Sequence, residues 1–216
     1  MQVAPWVEKM DDRFGHLCVP YVTRYLVLLQ IATYVLNLMS PGFSETLLLD
    51  GIGLRNGEVW RILTFMCVPA VDGGPIWFIM YLWFTWFVGD ALEREWGAAK
   101  VNIYYLTGII SLTVVALFFS AGPVRNDLLM VSMILPFGTV FPLEKIMLYF
   151  ILPVEARYIA MFYGGFMALA FSLGFMDRAV IFASVLAYLL FFGPTFFADW
   201  KLKKETQERR RRFEGK

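Results

Sequence analysis

The chain has 216 residues, of which 59% are hydrophobic, 18% aromatic and 17% charged, and its net charge is +1. The charged fraction falls well below the roughly 25% of a water-soluble domain, which excludes an ordinary soluble globule and implies a polytopic membrane protein. The net charge carries no message by itself, because the charges are unevenly placed; no nucleic-acid partner is expected.

Residues 1–20 form a mixed-charge N-terminal segment with Glu8, Lys9, Asp11, Asp12 and Arg13. No A-x-A cleavage site follows the first apolar run, so that run is expected to stay in the mature protein. The segment also holds His16, the one histidine of the chain, and Cys18. Cys18 and Cys67 are not spaced as a metal site or a redox pair. No cofactor and no metal are expected. The membrane domain is expected over 21–198 and a basic tail over 199–216.

A helix needs about 20 apolar residues to cross a bilayer. Six spans satisfy this reading: Val22 to Met39, Ile76 to Leu92, Val101 to Ser120, Asp127 to Pro142, Tyr158 to Phe175 and Ala179 to Phe197. Between the first two lies a long connection, Ser40 to Pro75, with apolar clusters between Gly and Asp turn signals. Its "NGEVWRILTFMCVP" places Trp60 and Arg61 ahead of Ile62 to Val68, a run too short to cross. This connection is expected to fold back onto the bundle, partly embedded, because irregular backbone at that depth must be shielded by protein. Arg61 would serve loop carbonyls or an acidic partner.

The second span ends in "FVGDALEREWG". Asp90 and Arg94 stand in the favourable i,i+4 order for a helical ion pair, and Gly97 stands where a left-handed C-cap is expected. The alternative is that Glu93 or Arg94 turns inward and ties neighbouring helices together. The fourth span is short, and Pro136 interrupts it. Leu143 to Glu155 reads as an interfacial link between spans four and five, or as part of a longer fifth span. Small residues recur every four positions along the fifth span (Ala156, Ala160, Gly164, Ala168, Ser172) and the sixth (Ala179, Ala183, Ala187). Such stripes let helix backbones approach closely, either for internal packing or as a groove for a partner helix.

Six spans put both ends on one side. That side carries about 15 of the 19 Lys and Arg residues, and the other holds Arg55, Arg61, Arg125 and Arg178. The positive-inside rule then makes both termini cytoplasmic. A bacterial inner membrane suits this pattern, with a eukaryotic endomembrane as the alternative. The tail, with eight positive and three negative residues, reads as a solvated helix extension that fixes topology. Attraction to anionic lipid would be its secondary role.

Trp60-Arg61 in a long outer loop, a span ending "GDALEREWGAAK", the stretch "FPLEKIMLYFILPVEARYIA" and a small-residue sixth span together resemble the six-helix rhomboid core. The resemblance covers roughly residues 20 to 198. In that family a W-R motif opens a re-entrant loop. Gly89, Glu93 and Gly97 match its G-x-x-x-E-x-x-x-G helix end, and Phe141-Pro142 matches the F-P that ends the fourth span. The fold class expected is therefore an all-α polytopic membrane protein, a six-transmembrane-helix rhomboid-like bundle with a partly embedded first loop.

Rhomboids are mostly intramembrane serine proteases, with a G-x-S-G serine on the fourth span and a histidine on the sixth. A serine hydroxyl needs a base, and the oxyanion needs positioned donors. Here the nucleophile position falls near Asp127, the histidine position holds Ser184, and the second-span donor positions fall near Trp77 and Tyr81. Ser132 is the nearest serine, but Val131 and Met133 replace the glycines. Lysines occur at 9, 100, 145 and in the tail, so no Ser-Lys pair forms inside the bundle. Asp127 and Asp177 are the remaining carboxylates of interest.

The resemblance thus implies a pseudoprotease, similar to the iRhoms and Derlins, and not an enzyme. Its implied partners are the bilayer, transmembrane segments of client proteins, and a membrane protease or AAA+ ATPase. Two other readings stay open: an active rhomboid-type protease with an atypical site, and a lipid or small-molecule binding or transport component. The last would use midplane polar groups such as Gln30, Asn37, Asn102, Thr107 and Ser111.

Overall fold

Away from water, a backbone must satisfy its own N–H and C=O groups, and the apolar runs of this chain do so as helices. The computed structural model describes residues 3–69, 74–119, 122–148, 152–174 and 178–214. In chain order the helices are α1 (Pro5–Phe14), α2 (Val22–Met39), α3 (Gly51–Arg55), α4 (Arg61–Thr64), α5 (Pro75–Trp96), α6 (Ala98–Phe118), α7 (Asp127–Ser132), α8 (Ile134–Val140), α9 (Ala156–Leu173) and α10 (Arg178–Glu214). Five of them, α2, α5, α6, α9 and α10, are long and apolar enough to cross a membrane, and Asp127–Val140 is a shorter apolar segment. The protein is a predominantly helical membrane protein.

α6 is the pillar of the bundle. Half of its apolar window is buried by neighbours (50%), against 17% for α9. α10 packs along α6, while α9 leans mainly on α8. Where α6 begins, Trp96, Tyr104, Phe191 and Phe192 form an aromatic cluster, with Tyr104 edge-on to Phe191 at 5.3 Å. Lipid tails offer no hydrophobic gain to helix association, so these contacts hold the bundle by close packing.

Two prolines interrupt helices, and each leaves one carbonyl without its helical donor. Pro136 lacks the N–H that would reach Ser132, and the helix breaks there, at Met133, into α7 and α8. The proline itself sits in the first turn of α8, where it is tolerated. The freed Ser132 carbonyl accepts a hydrogen bond from the Tyr104 hydroxyl at 3.3 Å. Pro194 lies inside α10 and frees the carbonyl of Leu190. Trp6 of α1 donates its indole N–H to that carbonyl at 3.1 Å, and the Ala4 amide donates to Phe191 at 2.9 Å. The N-terminal segment is thereby fastened to α10 one turn ahead of Pro194, with Ala4 and Val7 fully buried.

The segment Leu143 to Glu155 corrects the expectation of a helical chain throughout. Within it, β1 (Lys145–Leu148) and β2 (Leu152–Glu155) pair antiparallel, with Lys145 opposite Glu155 and Met147 opposite Pro153. None of its described residues extends α9. Pro153 would remove a hydrogen bond inside a helix, but it is tolerated in a two-stranded hairpin that is all edge. The fourth apolar segment likewise ends at Val140, short of Pro142.

The long connection between α2 and α5 is pinned to the bundle. Leu49 and Val124 exchange both backbone hydrogen bonds. Asp50 caps α3 by accepting from the Gly53 amide at 2.9 Å. Arg55 donates to the Leu117 carbonyl at the end of α6, a cation on a helix C-terminus.

Candidate functional site

Trp60 stands at the N-terminus of α4 and is exposed, whereas Arg61 turns back into the loop. Its guanidinium pairs with Glu58 and donates to the carbonyls of Leu48 (2.8 Å) and Glu45 (3.2 Å). One side chain thus joins two backbone carbonyls and a carboxylate of the same loop, work suited to a fork of five donors. Past it, Phe65 and Met66 enter the bundle against α2 and are buried.

The Met66 carbonyl organises a buried polar centre. Gln30 of α2 donates to it at 3.1 Å, and Asn126, just ahead of α7, donates at 2.9 Å. Each side-chain amide must turn its NH2 toward this carbonyl, so its oxygen faces away. Gln30 Oε1 and Asn126 Oδ1 are both buried and have no hydrogen-bond partner among the described residues. The Tyr81 hydroxyl of α5 lies 3.4 Å from Gln30 Nε2. Asp127 follows Asn126 and is partly buried. The centre joins α2, the long connection and the segment ahead of α7, and what it offers is two acceptor amide oxygens.

Beside it a small cavity of about 30 Å³ lies between α5 and α7–α8, behind Tyr81. Phe84, Tyr105, Met130, Met133 and Ile134 line it, so its walls are aromatic and thioether-rich.

Among the described residues, the other positions singled out in the sequence form no nucleophile–base pair. The Ser184 hydroxyl is buried and donates to its own helix at Ile181, 2.8 Å away. Ser132 does the same to Leu129 at 2.7 Å and also touches the Tyr104 hydroxyl. Trp77 is half exposed on α5, at 49%. His16 is exposed in the short turn after α1, at the end of the bundle opposite the loop. Asp177 lies outside the described residues. Among the described residues no three His, Cys, Asp or Glu side chains group as a metal site.

The end of α5 is a joint. A Cβ on Gly89 would come within 2.3 Å of Thr23 Cγ2, so α2 and α5 touch there with nothing between them. Glu93, four residues on, is buried and accepts from the Tyr21 amide at the N-terminus of α2, where a carboxylate meets the positive end of a helix dipole. Gly97 then turns the chain from α5 into α6 at φ 85° and ψ 160°. The expected left-handed cap is corrected to this more extended conformation, which only glycine adopts without strain. The expected Asp90–Arg94 pair is also corrected. Asp90 instead binds Arg24 of α2 through two parallel bonds of 2.7 and 2.8 Å. A bidentate fork between helices is stronger and better defined than an exposed pair along one helix.

The small-residue stripes divide. On α10, Ala183 and Ala187 are buried and Ala179 packs against the same core. On α9, Ala156 and Ala160 bear on Gly138 of α8, where an added Cβ would stand 2.3 Å from the Ala160 Cβ. Gly164 is in looser contact with Leu135, and Ala168 and Ser172 are exposed, which corrects their expected place in a continuous contact. A step of four residues turns about 400° around a helix with 3.6 residues per turn, so the stripe rotates off the contact face by about 40° each time. Met167 and Ala170 carry the contact instead. Of the five polar groups expected at the midplane, Gln30 belongs to the buried centre and the other four are dispersed: Asn37 accepts from Ser44, Asn102 binds Val19, and Thr107 and Ser111 bond along α6.

Fold and site together define a class, a helical membrane protein whose long connection carries a buried carbonyl into an acceptor-rich centre. No protein-family model matches the chain, and no curated protein matches it significantly.

Proposed function

We propose that this chain is a catalytically inactive, rhomboid-like membrane protein that binds transmembrane segments of client proteins. It would have six spans, with α7 and α8 together forming a short fourth, and both termini in the cytoplasm. The observation that carries the inactive reading is the buried, acceptor-rich centre. A protease needs free donors aimed at an oxyanion. Here the N–H groups of Gln30 and Asn126 are both engaged by the Met66 carbonyl. What is left is two buried acceptor oxygens, which would repel an oxyanion rather than stabilise it.

Two further observations support client binding. α9 is peripheral, with Met161 and Phe162 exposed at 70% and 77%. The Asp127–Val140 segment spans roughly 21 Å at 1.5 Å per residue, short of the roughly 30 Å hydrocarbon core, which favours local thinning of the bilayer. A membrane protease or AAA+ ATPase would then process the client.

Photo-crosslinkers placed in the membrane at Ile79 of α5 and Phe162 of α9 test the reading. Protein adducts are expected from both positions, and adducts to lipid alone would overturn it. In a cleavage assay with a generic rhomboid substrate, the wild type is expected to match the Ser132→Ala and Ser184→Ala variants at background. Cleavage lost on either substitution would restore the protease.

A further inference from the structure

The C-terminal half of α5 carries a second feature, separate from client binding. Trp83, Trp86, Phe87, Asp90 and Arg94 line an open cleft of about 410 Å³ on its outer face. Both tryptophans are nearly half exposed, and Trp83 stacks on Phe87 at 5.8 Å. The cleft runs from an arginine at the helix end to an aromatic surface eleven residues deeper, roughly 16 Å at 1.5 Å per residue. An acyl chain lying under its headgroup has this layout.

The charges say which headgroup fits. Asp90 is already neutralised by the fork of Arg24, whose guanidinium also lies over the Trp86 ring at 5.6 Å. Arg94 is exposed and forms no hydrogen bond or ion pair with any described residue. It therefore stands as a cation available to a phosphate. Phe87 and Arg94 also border a neighbouring cleft of about 210 Å³ between α5 and α8, and that cleft carries Glu95 and Glu144. Neither carboxylate is in an ion pair among the described residues, and both residues are exposed. A purely anionic headgroup would meet these two acids. A headgroup with phosphate on one side and a hydrogen-bonding ammonium on the other meets a cation and then two acceptors.

We propose that Arg94, with Glu95 and Glu144, forms a binding site for an aminophospholipid. The phosphate of phosphatidylethanolamine lies on Arg94, its primary ammonium faces the two carboxylates, and one acyl chain follows Phe87 and Trp83. The quaternary ammonium of phosphatidylcholine donates no hydrogen bond and gains less from the acids. Phosphatidylglycerol has no cation to offer them.

Native mass spectrometry of the full chain released from nanodiscs with equal phosphatidylethanolamine, phosphatidylcholine and phosphatidylglycerol reads this out. Phosphatidylethanolamine is expected to be retained over both others. Arg94→Gln is expected to lower its retention by about fivefold, the order of one charge-assisted contact at an interface, and Arg94→Lys to keep most of it. The double variant Glu95→Gln, Glu144→Gln is expected to keep bound phospholipid but lose the preference for phosphatidylethanolamine over phosphatidylcholine. All three positions are exposed, and unchanged melting temperatures check that the fold is kept. Equal or greater retention of phosphatidylglycerol, undiminished binding in Arg94→Gln, or a preference that survives the double variant would each overturn the site.

Discussion

A carbonyl left without its helical donor in a bundle core is costly, of the order of 1–3 kcal/mol for a buried group with no partner. Tyr104 and Trp6 each meet one such carbonyl, at Ser132 and at Leu190. Tyr104→Phe keeps the ring among Trp96 and Phe191 and removes only the hydroxyl. It should therefore lower stability by about 1–3 kcal/mol, read as an earlier thermal unfolding transition in detergent. Trp6→Phe should cost about 1 kcal/mol, because it removes one hydrogen bond and some packing while Ala4 still holds Phe191. If Tyr104→Phe unfolds like the wild type, water meets the Ser132 carbonyl and the proline account of the α7–α8 break is wrong. These residues also mark what a linear reading can reach. Pro136 was legible as an interruption, but its remedy lies on another helix, 28 residues before Ser132. Trp6 stands 184 residues from its acceptor. The arginine of the Trp-Arg pair was easier, since its partners at Glu45, Leu48 and Glu58 are all within the same connection.

At the scale of elements, close approach decides which helices pair. Gly138 lets α9 settle on α8: an added Cβ would stand 2.8 Å from the Ala156 carbonyl oxygen, a backbone atom that cannot turn aside. Gly138→Ala should therefore push α9 off α8 and destabilise by about 1–3 kcal/mol. Gly165→Ala, in open space on the same α9, should be neutral or stabilising by up to about 1 kcal/mol through helix propensity. Disulfide trapping between cysteines introduced at Thr139 and Ala160 would report the separation, and an unchanged trapping rate in Gly138→Ala would sink the claim. The elements were legible where periodicity and length agree, as in α2, α5 and α6. They were less so where charge spacing suggested a local partner. Asp90 had an arginine four residues away in sequence, yet it bonds Arg24, 66 residues distant, because Gly89 brings α2 against that face of α5. The hairpin after α8 was hidden for another reason: its residues are as apolar as a span, and only the two prolines argued against a helix.

At the scale of the whole molecule, the joints at the end of α5 and the pinned connection lie at opposite ends of the bundle. Cys18 precedes α2 beside the first joint, and Val59 is exposed in the connection beyond the far end of α2. If α2 crosses the bilayer, these two positions face different compartments, and under the proposed orientation, which follows the basic excess beside α1, α5 and α10, Cys18 would face the cytoplasm. A Cys67→Ser background with either Cys18 or an introduced Val59→Cys turns this into a labelling experiment with an impermeant maleimide. Val59→Cys should label in intact cells, and Cys18 only after permeabilisation. The pH must be chosen with Cys18 in view. Its thiol is pushed above the ordinary value, first by burial and then by the nearby Asp11 carboxylate, so at a given pH it holds less thiolate than a free cysteine. Its labelling should therefore lag that of Val59→Cys near neutrality and recover as the pH rises past about 8.5, the value for an unperturbed thiol. Cys18 reacting in intact cells and Val59→Cys only after permeabilisation would invert the membrane orientation while keeping the bundle. Both reacting from one side, each at its own pH optimum, would mean that α2 does not cross, and the six-span reading would fall with it.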